Sequence, residues 1–179
     1  MSKHFTVNRI AILSILIALC HIGRLAFQFI PNVQPVTTIL IIIALTLGTI
    51  DGVVVASMSI LISNMLLGMG PWTIYQIITY AAIMLITGSL KPVYEGLSDH
   101  TKVRGLVFAL YAGVAGMMYG FIISIFSANM FGIQNFWVYY IQGVSFDLMH
   151  AVGNVAFFLV LEPILDPIIQ KRLRGYTLC

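Results

Sequence analysis

Polar side chains recur at helical spacing within an otherwise apolar sequence. His21, Arg24 and Gln28 follow an i, i+3, i+7 pattern, which places all three on one face of a helix. Arg24 lies about 24 Å along a helix that starts near residue 8. Two interpretations stay open: its long stem reaches the outer headgroups, or its guanidinium contacts a ligand.

A second stripe combines aromatic and polar residues on one helix, at i, i+3, i+4, i+7 and i+8. Its members are Trp72, Tyr75, Gln76, Thr79 and Tyr80. Aromatic stripes commonly serve packing alone, but the Gln76 amide needs a partner inside a membrane. We therefore expect the stripe to face a cavity between helices. Asn64, one turn before the preceding loop, either bonds another helix or contacts a ligand.

Asp147, His150 and Asn154 form a third stripe at i, i+3, i+7. A carboxylate near the middle of a membrane costs at least a few kcal/mol unless it is paired. Asp147 and His150 share a helix face, so they could brace the bundle, form the polar floor of a pocket, or act as the acid–base pair of a small membrane enzyme. Two ligands at this spacing do not make a metal site, and none is expected.

The composition shows which elements must hold these stripes. Of the 179 residues, 60% are hydrophobic and 8% are charged, and the mean hydropathy is +1.00. Soluble domains carry about 25% charged residues. This excludes a soluble enzyme, a disordered tail and a nucleic-acid binder, despite a pI of about 9.0. We expect an all-α integral membrane protein with one domain over residues 1–179.

Six transmembrane helices are predicted. The apolar stretch 36–67 would measure about 48 Å as a single helix, against a hydrocarbon core of about 30 Å. We therefore expect two spans joined by a turn at residues 48–52. The other four spans are expected over about residues 7–29, 72–90, 105–126 and 136–161, with a tail from Glu162 onwards.

The distribution of basic residues supports six spans. With the N-terminus inside, eight of the nine Lys and Arg residues are cytoplasmic, among them Lys3, Arg172 and Arg174, and only Arg24 lies outside. Five spans would place seven of them outside, against the preference for Lys and Arg in cytoplasmic loops. Both termini are therefore expected in the cytoplasm, and the loops 30–35, 68–71 and 127–135 outside.

Small residues mark two contact faces. Ala112, Gly116 and Gly120 repeat every four residues, which is typical of close helix–helix packing. Ala11, Ser14 and Ala18 share a face of the first span. That face could pack inside the bundle or dock a helix of another protein.

The sequence lacks motifs for an energy source or a nucleophile. G-x-x-x-x-G-K-[ST], G-x-S-x-G and H-E-x-x-H do not occur, and no internal repeat indicates a self-sufficient transporter. A pocket without an energy source indicates a binding subunit that partner proteins power.

The chain resembles the substrate-binding S component of an energy-coupling factor (ECF) vitamin transporter. The resemblance covers nearly the whole chain and rests on its size, on six spans with both ends inside, on the small-residue face of the first span, and on local segments. These segments are Arg24 with Phe29-Ile-Pro-Asn-Val-Gln-Pro35, Asn64 with Gly68-Met-Gly-Pro-Trp72 and Gln76, and Asp147-Leu-Met-His150 with Gly153-Asn154.

The resemblance implies a cell-membrane subunit with no catalysis and no cofactor of its own. It implies a transmembrane scaffold (T) subunit and two cytoplasmic ATPases as partners, and docking of the scaffold through Ala11, Ser14 and Ala18. The segments PNVQP and GPWT-x-Y-Q look most like cobalamin-type S components. A queuosine precursor or pantothenate is the same-class alternative. Two alternatives belong to other functional classes: a small membrane enzyme that uses Asp147 and His150, and a purely structural subunit.

The expected ligand contacts share polar or aromatic character and lie at the outer ends of the spans, in the outer loops or, for His150, at the floor of the pocket. They are Arg24, Asn32, Gln34, Asn64, Trp72, Tyr75, Gln76, Trp137 and His150.

Overall fold

The computed structural model describes residues 7–174 and their side chains through Lys171. The described residues form helices and turns without a strand. In chain order the helices are α1 (Val7–Ala26), α2 (Val36–Thr46), α3 (Thr49–Leu67), α4 (Trp72–Ser89), α5 (Lys91–Gly96), α6 (Thr101–Met130) and α7 (Phe136–Arg174). The predicted all-helical class is confirmed. The predictions on Lys3, Arg172 and Arg174 lie outside the described side chains.

Four of the described helices, α1, α3, α6 and α7, are long and apolar enough to cross a membrane. The 18-residue helix α4 carries Trp72, Tyr75 and Gln76 in its first two turns, which lower its hydropathy. Helix α2 has only 11 residues and is about 16 Å long, so it cannot cross a core of about 30 Å alone. The six-span count, the cytoplasmic termini and the single domain stay predictions.

Helix α2 is the core of the bundle. Ten of its 11 residues are buried, and α1, α3, α4, α6 and α7 all contact it. The predicted turn after it is confirmed at Gly48, whose φ of 125° is in the region that favours glycine. The long apolar stretch therefore doubles back, as its length requires.

The proline-rich segment 27–35 is held between α1 and α7. A Cβ on Gly23 would lie 2.6 Å from the Pro35 side chain, and a Cβ on Gly153 would lie 3.0 Å from Val33. Asn32 has a φ of 58°, and its Nδ2 donates to the Phe146 carbonyl of α7 at 2.9 Å. These close approaches place the start of α2 deep in the bundle.

Helices α6 and α7 pack through the predicted small-residue face. A Cβ on Gly116 would lie 3.0 Å from the Ala151 backbone nitrogen, and a Cβ on Gly113 would lie 2.9 Å from Val155. Ala112 and Gly120 are also buried, and the Asp147 carboxyl lies directly against Gly120. The prediction of a close contact along this face of α6 is confirmed.

Several predicted boundaries are wrong at the ends of α6 and α7. Helix α6 begins at Thr101 rather than residue 105 and continues to Met130 rather than residue 126, and the segment between the expected spans also contains α5. Helix α7 continues to Arg174 through Pro163 and Pro167. Each proline removes one backbone hydrogen bond, but the buried side chains of Glu162 and Asp166 anchor this part of the helix to α6.

Arg104 is the centre of a buried ionic cluster. Its Nη2 donates to Glu162 Oε1 at 2.6 Å and to Asp166 Oδ2 at 3.1 Å. Its guanidinium lies 4.5 Å from the centre of the Tyr94 ring, and Tyr94 Oη donates to Glu162 Oε1 at 2.8 Å. Burial and this carboxylate raise the pKa of Tyr94, so its hydroxyl remains a donor. The cluster joins α5, α6 and α7.

Two further contacts lie at the same end of the bundle. Arg9 donates from Nε to Asp51 Oδ1 at 3.1 Å and pairs with Oδ2 through Nη2, which links α1 to α3. Lys91 Nζ donates to the Thr46 carbonyl at 3.1 Å. We call this the charged end, defined by Arg9, Lys91 and Arg104, and the opposite end the loop end, defined by the segments 27–35, 68–71 and 131–135.

Candidate functional site

A small polar cavity lies inside the bundle toward the loop end. Its volume is about 90 Å³, equal to about three water molecules at ~30 Å³ each. Sites that enclose a whole drug-sized ligand measure about 300–1,000 Å³, so this cavity can hold one group of a larger molecule. Its walls come from the segment 27–35 and from every described helix except α5; they are Arg24, Asn32, Gln34, Val36, Ile60, Gln76, Tyr80, Tyr119 and His150.

The Arg24 guanidinium is fixed by helix α3. Its Nη1 donates to Ser63 Oγ at 2.6 Å, and the same hydroxyl donates to the Ser59 carbonyl at 2.7 Å. No carboxylate among the described residues forms an ion pair with Arg24. A guanidinium carries five N–H donors, and within the described residues the bond to Ser63 is the hydrogen bond that Arg24 makes.

Gln76 is oriented by Asn64, which lies behind it. Asn64 Nδ2 donates to Gln76 Oε1 at 2.7 Å and to Thr73 Oγ1 at 2.9 Å. Gln76 and Tyr119 both line the cavity. Since its carbonyl oxygen is used by Asn64, the Gln76 amide presents its N–H groups on the cavity side.

An aromatic wall closes the side of the cavity formed by α4, α6 and α7. The Tyr80 and Tyr119 ring centres are 4.7 Å apart, and the Tyr119 ring meets His150 edge to face at 5.4 Å. Thr37 of α2 lies within hydrogen-bond distance of both ends of this wall, at 3.2 Å from Tyr80 Oη and 2.9 Å from His150 Nε2. The wall offers both ring surface and hydrogen-bonding groups.

Most of the chain matches one family of membrane transport proteins. The family model described as "ECF transporter, substrate-specific component" matches residues 8–162. The chain belongs to this family. S components are the substrate-specific subunits of ECF transporters and work with T and ATPase subunits, so the predicted family and its transport class are confirmed. No curated protein and no solved structure matches the chain.

The structure brings together five of the nine contacts predicted for this S component. Arg24, Asn32, Gln34, Gln76 and His150 come from four separate parts of the sequence and line one cavity. This agreement follows from the topology, because the turn at Gly48 returns α3 to α1 and α4 packs on α3. Their contact with a ligand stays a prediction.

The other four predicted contacts lie outside the cavity. Asn64 is buried behind Gln76, and Tyr75 stacks on Phe126 with ring centres 4.8 Å apart. Trp72 and Trp137 are 42% and 64% exposed near the loop end, because α4 and α7 begin there. These tryptophans can contact only a part of a ligand that extends out of the cavity.

Four cavity residues were missing from the predicted contacts: Val36, Ile60, Tyr80 and Tyr119. Tyr80 belongs to the aromatic stripe of α4, so its spacing already indicated the correct face. Tyr119 lies next to Gly120 on the packing face of α6, where spacing alone indicates contact with α7. Val36 and Ile60 carry no polar signal.

Asp147 and His150 do not form a pair. His150 Nε2 bonds Thr37, its Nδ1 has no partner, and Asp147 Oδ2 has none within the described part of the chain. Asn154 instead links α7 to α6 and α2: its Nδ2 donates to the Ala112 carbonyl at 3.1 Å, and its backbone carbonyl accepts from Thr38 Oγ1 at 3.1 Å. This geometry gives no support to an acid–base pair.

Proposed function

We propose that this S component binds a vitamin in the cavity from the loop end and delivers it across the membrane with a T scaffold and two ATPases. The observation that carries the proposal is the Arg24 guanidinium, which points into a polar, aromatic cavity without a carboxylate partner in the described structure. Arg24 is half-buried, and a cation partly removed from water is costly unless a ligand or another group compensates it.

Cobalamin is the first candidate ligand. The segment PNVQP supplies Asn32 and Gln34 to the cavity, and GPWT-x-Y-Q supplies Gln76; these are the segments that resemble cobalamin-type S components. A cavity of about 90 Å³ admits one peripheral group of cobalamin. Its ring would then rest against the exposed Trp72 and Trp137 at the loop end.

Pantothenate is the second candidate, and the size of the cavity favours it. A small acid can place its carboxylate beside Arg24 in the cavity, with the rest of its chain directed toward the loop end. It requires less separation of the helices at the loop end than a corrinoid does. A queuosine precursor is the third ligand to be tested.

We further propose that the scaffold docks on α1. Ala11, Ser14 and Ala18 are all exposed, so they do not pack inside this bundle. Only 17% of the α1 hydrophobic window is buried, against 44% for α3. A helix with so much small-residue surface can approach a partner helix closely.

Calorimetry with purified protein in lipid nanodiscs tests the proposal. We expect binding of cobalamin or pantothenate, and its loss in Arg24→Gln. Lys171→Gln, which removes an exposed cation from the C-terminal half of α7, serves as the control and should bind normally. Absence of heat with every vitamin, together with no vitamin uptake by cells that also express T and ATPase subunits, would refute the proposed function.

A further inference from the structure

We propose that the cavity is an anion subsite, in which the ligand's carboxylate or phosphate group lies between Arg24 and the N-terminus of α2. The inference rests on the proposed function and names the chemical class of its substrate. It requires that the vitamin enter with its acidic group first.

The first turn of α2 supplies backbone donors at the cavity wall. The helix begins at Val36, which lines the cavity, and no described side chain caps it. The first intrahelical bond runs from the Ile39 nitrogen to the Pro35 carbonyl. The N–H groups of Val36, Thr37 and Thr38 therefore have no acceptor within the helix.

A short buried helix of this kind favours an anion at its N-terminus. The helix dipole places about half a positive charge there, and no bulk water screens it. Discontinuous membrane helices in transporters direct their N-terminal ends at anionic substrate groups. Arg24 adds a full positive charge, since it also lines the cavity.

His150 is an independent indication of a ligand. Its side chain is 4% exposed and lines the cavity, and Nδ1 has no hydrogen-bond partner in the described structure. If Tyr80 donates to Thr37 and Thr37 donates to His150 Nε2, then Nδ1 carries a proton that faces no acceptor. If both bonds run the other way, His150 Nε2 donates to Thr37 and Thr37 donates to Tyr80, so the Tyr80 hydroxyl proton has no acceptor among these three residues. Either arrangement leaves one donor for an anion.

No described acidic side chain occupies this position. Asp147 lies one turn before His150 on α7, but its carboxyl packs against Gly120 and does not line the cavity. The cavity therefore combines a cation, the N-terminal end of α2 at Val36 and a spare donor, and no described carboxylate lines it. Its volume of about 90 Å³ suits a carboxylate or phosphate.

Matched pairs of ligands test the inference with the full-length protein in nanodiscs. The pairs are pantothenate with pantothenol, biotin with its primary amide, and cobalamin with cobinamide. Cobinamide lacks the phosphodiester together with the rest of the nucleotide loop, so for this pair the Arg24→Gln variant decides whether the charge is responsible. We expect at least one anionic member to bind, and its neutralised or phosphate-free partner to bind about 10- to 100-fold more weakly, as expected for loss of one or two charge-assisted hydrogen bonds.

Arg24→Gln distinguishes an anion subsite from a general effect on folding. Arg24→Gln should lower the affinity for the acidic ligand by a similar factor and leave the affinity for the neutral member of the pair unchanged. Lys171→Gln should change neither affinity. Equal affinity for both members of every pair, or binding of none of the acids, would overturn the inference. Uptake of a pantothenol-like neutral compound in the complete transporter would then retain the proposed function without the anion subsite.

Discussion

Replacement of Glu162 should destabilise the fold at the charged end. The Glu162 carboxylate is 5% exposed and accepts from Arg104 at 2.6 Å and from Tyr94 at 2.8 Å. In Glu162→Ala, Tyr94 loses its acceptor and Arg104 keeps only Asp166, at 3.1 Å. Two of the hydrogen bonds that hold α5, α6 and α7 together are then lost.

The expected loss can be estimated from these contacts. Removing one partner of a buried ion pair costs about 3–5 kcal/mol, and Asp166 offsets part of this by staying on Arg104. An unsatisfied buried hydroxyl adds about 1 kcal/mol or more. We therefore expect a loss of about 3 kcal/mol in the free energy of unfolding, which corresponds to a fall of about 6–12 °C in Tm for a chain of this size.

Thermal unfolding followed by circular dichroism in one detergent would measure the loss. Glu95→Ala is the matched control, because Glu95 is 65% exposed and pairs with Lys91 only at 3.8 Å; its expected cost is below about 0.5 kcal/mol. Tyr94→Phe should lower Tm less than Glu162→Ala does. The decrease in Tm of the double variant should be smaller than the sum of the two single decreases, because both changes remove the same contact. Equal Tm values for the two alanine variants would refute the contribution of the buried cluster.

Three further outcomes are expected. Gly116→Leu should reduce Tm by several degrees, because a Cβ at this position meets the α7 backbone at 3.0 Å. Gly143→Leu is the control and should leave Tm unchanged, because a Cβ there meets open space. Similar melting curves for the two variants would contradict this packing. Thr37→Val should weaken ligand affinity about 5- to 10-fold by leaving two buried partners unpaired, and calorimetry with unchanged affinity would exclude that role. Ala18→Trp should retain ligand binding but lose co-purification with the T subunit, while Leu110→Trp on exposed α6 retains both.

The sequence by itself determined the class of the protein. A low charge and long apolar runs require a helical membrane protein, and the length of the stretch 36–67 requires a turn, which lies at Gly48. The spacing of Ala112, Gly116 and Gly120 identified the face of α6 that packs on α7. These features depend on composition and local periodicity, which neighbouring elements change little.

The tertiary structure alone decided which polar residues meet. Spacing defines which side chains share a helix face, but the rotation and depth of each helix decide what that face contacts. Tyr119 therefore joined the cavity and Trp137 did not. In the same way, α7 continued past Pro163 because Arg104, distant in sequence, holds Glu162 and Asp166 inside the bundle. Contacts of this kind arise only when separate helices pack together.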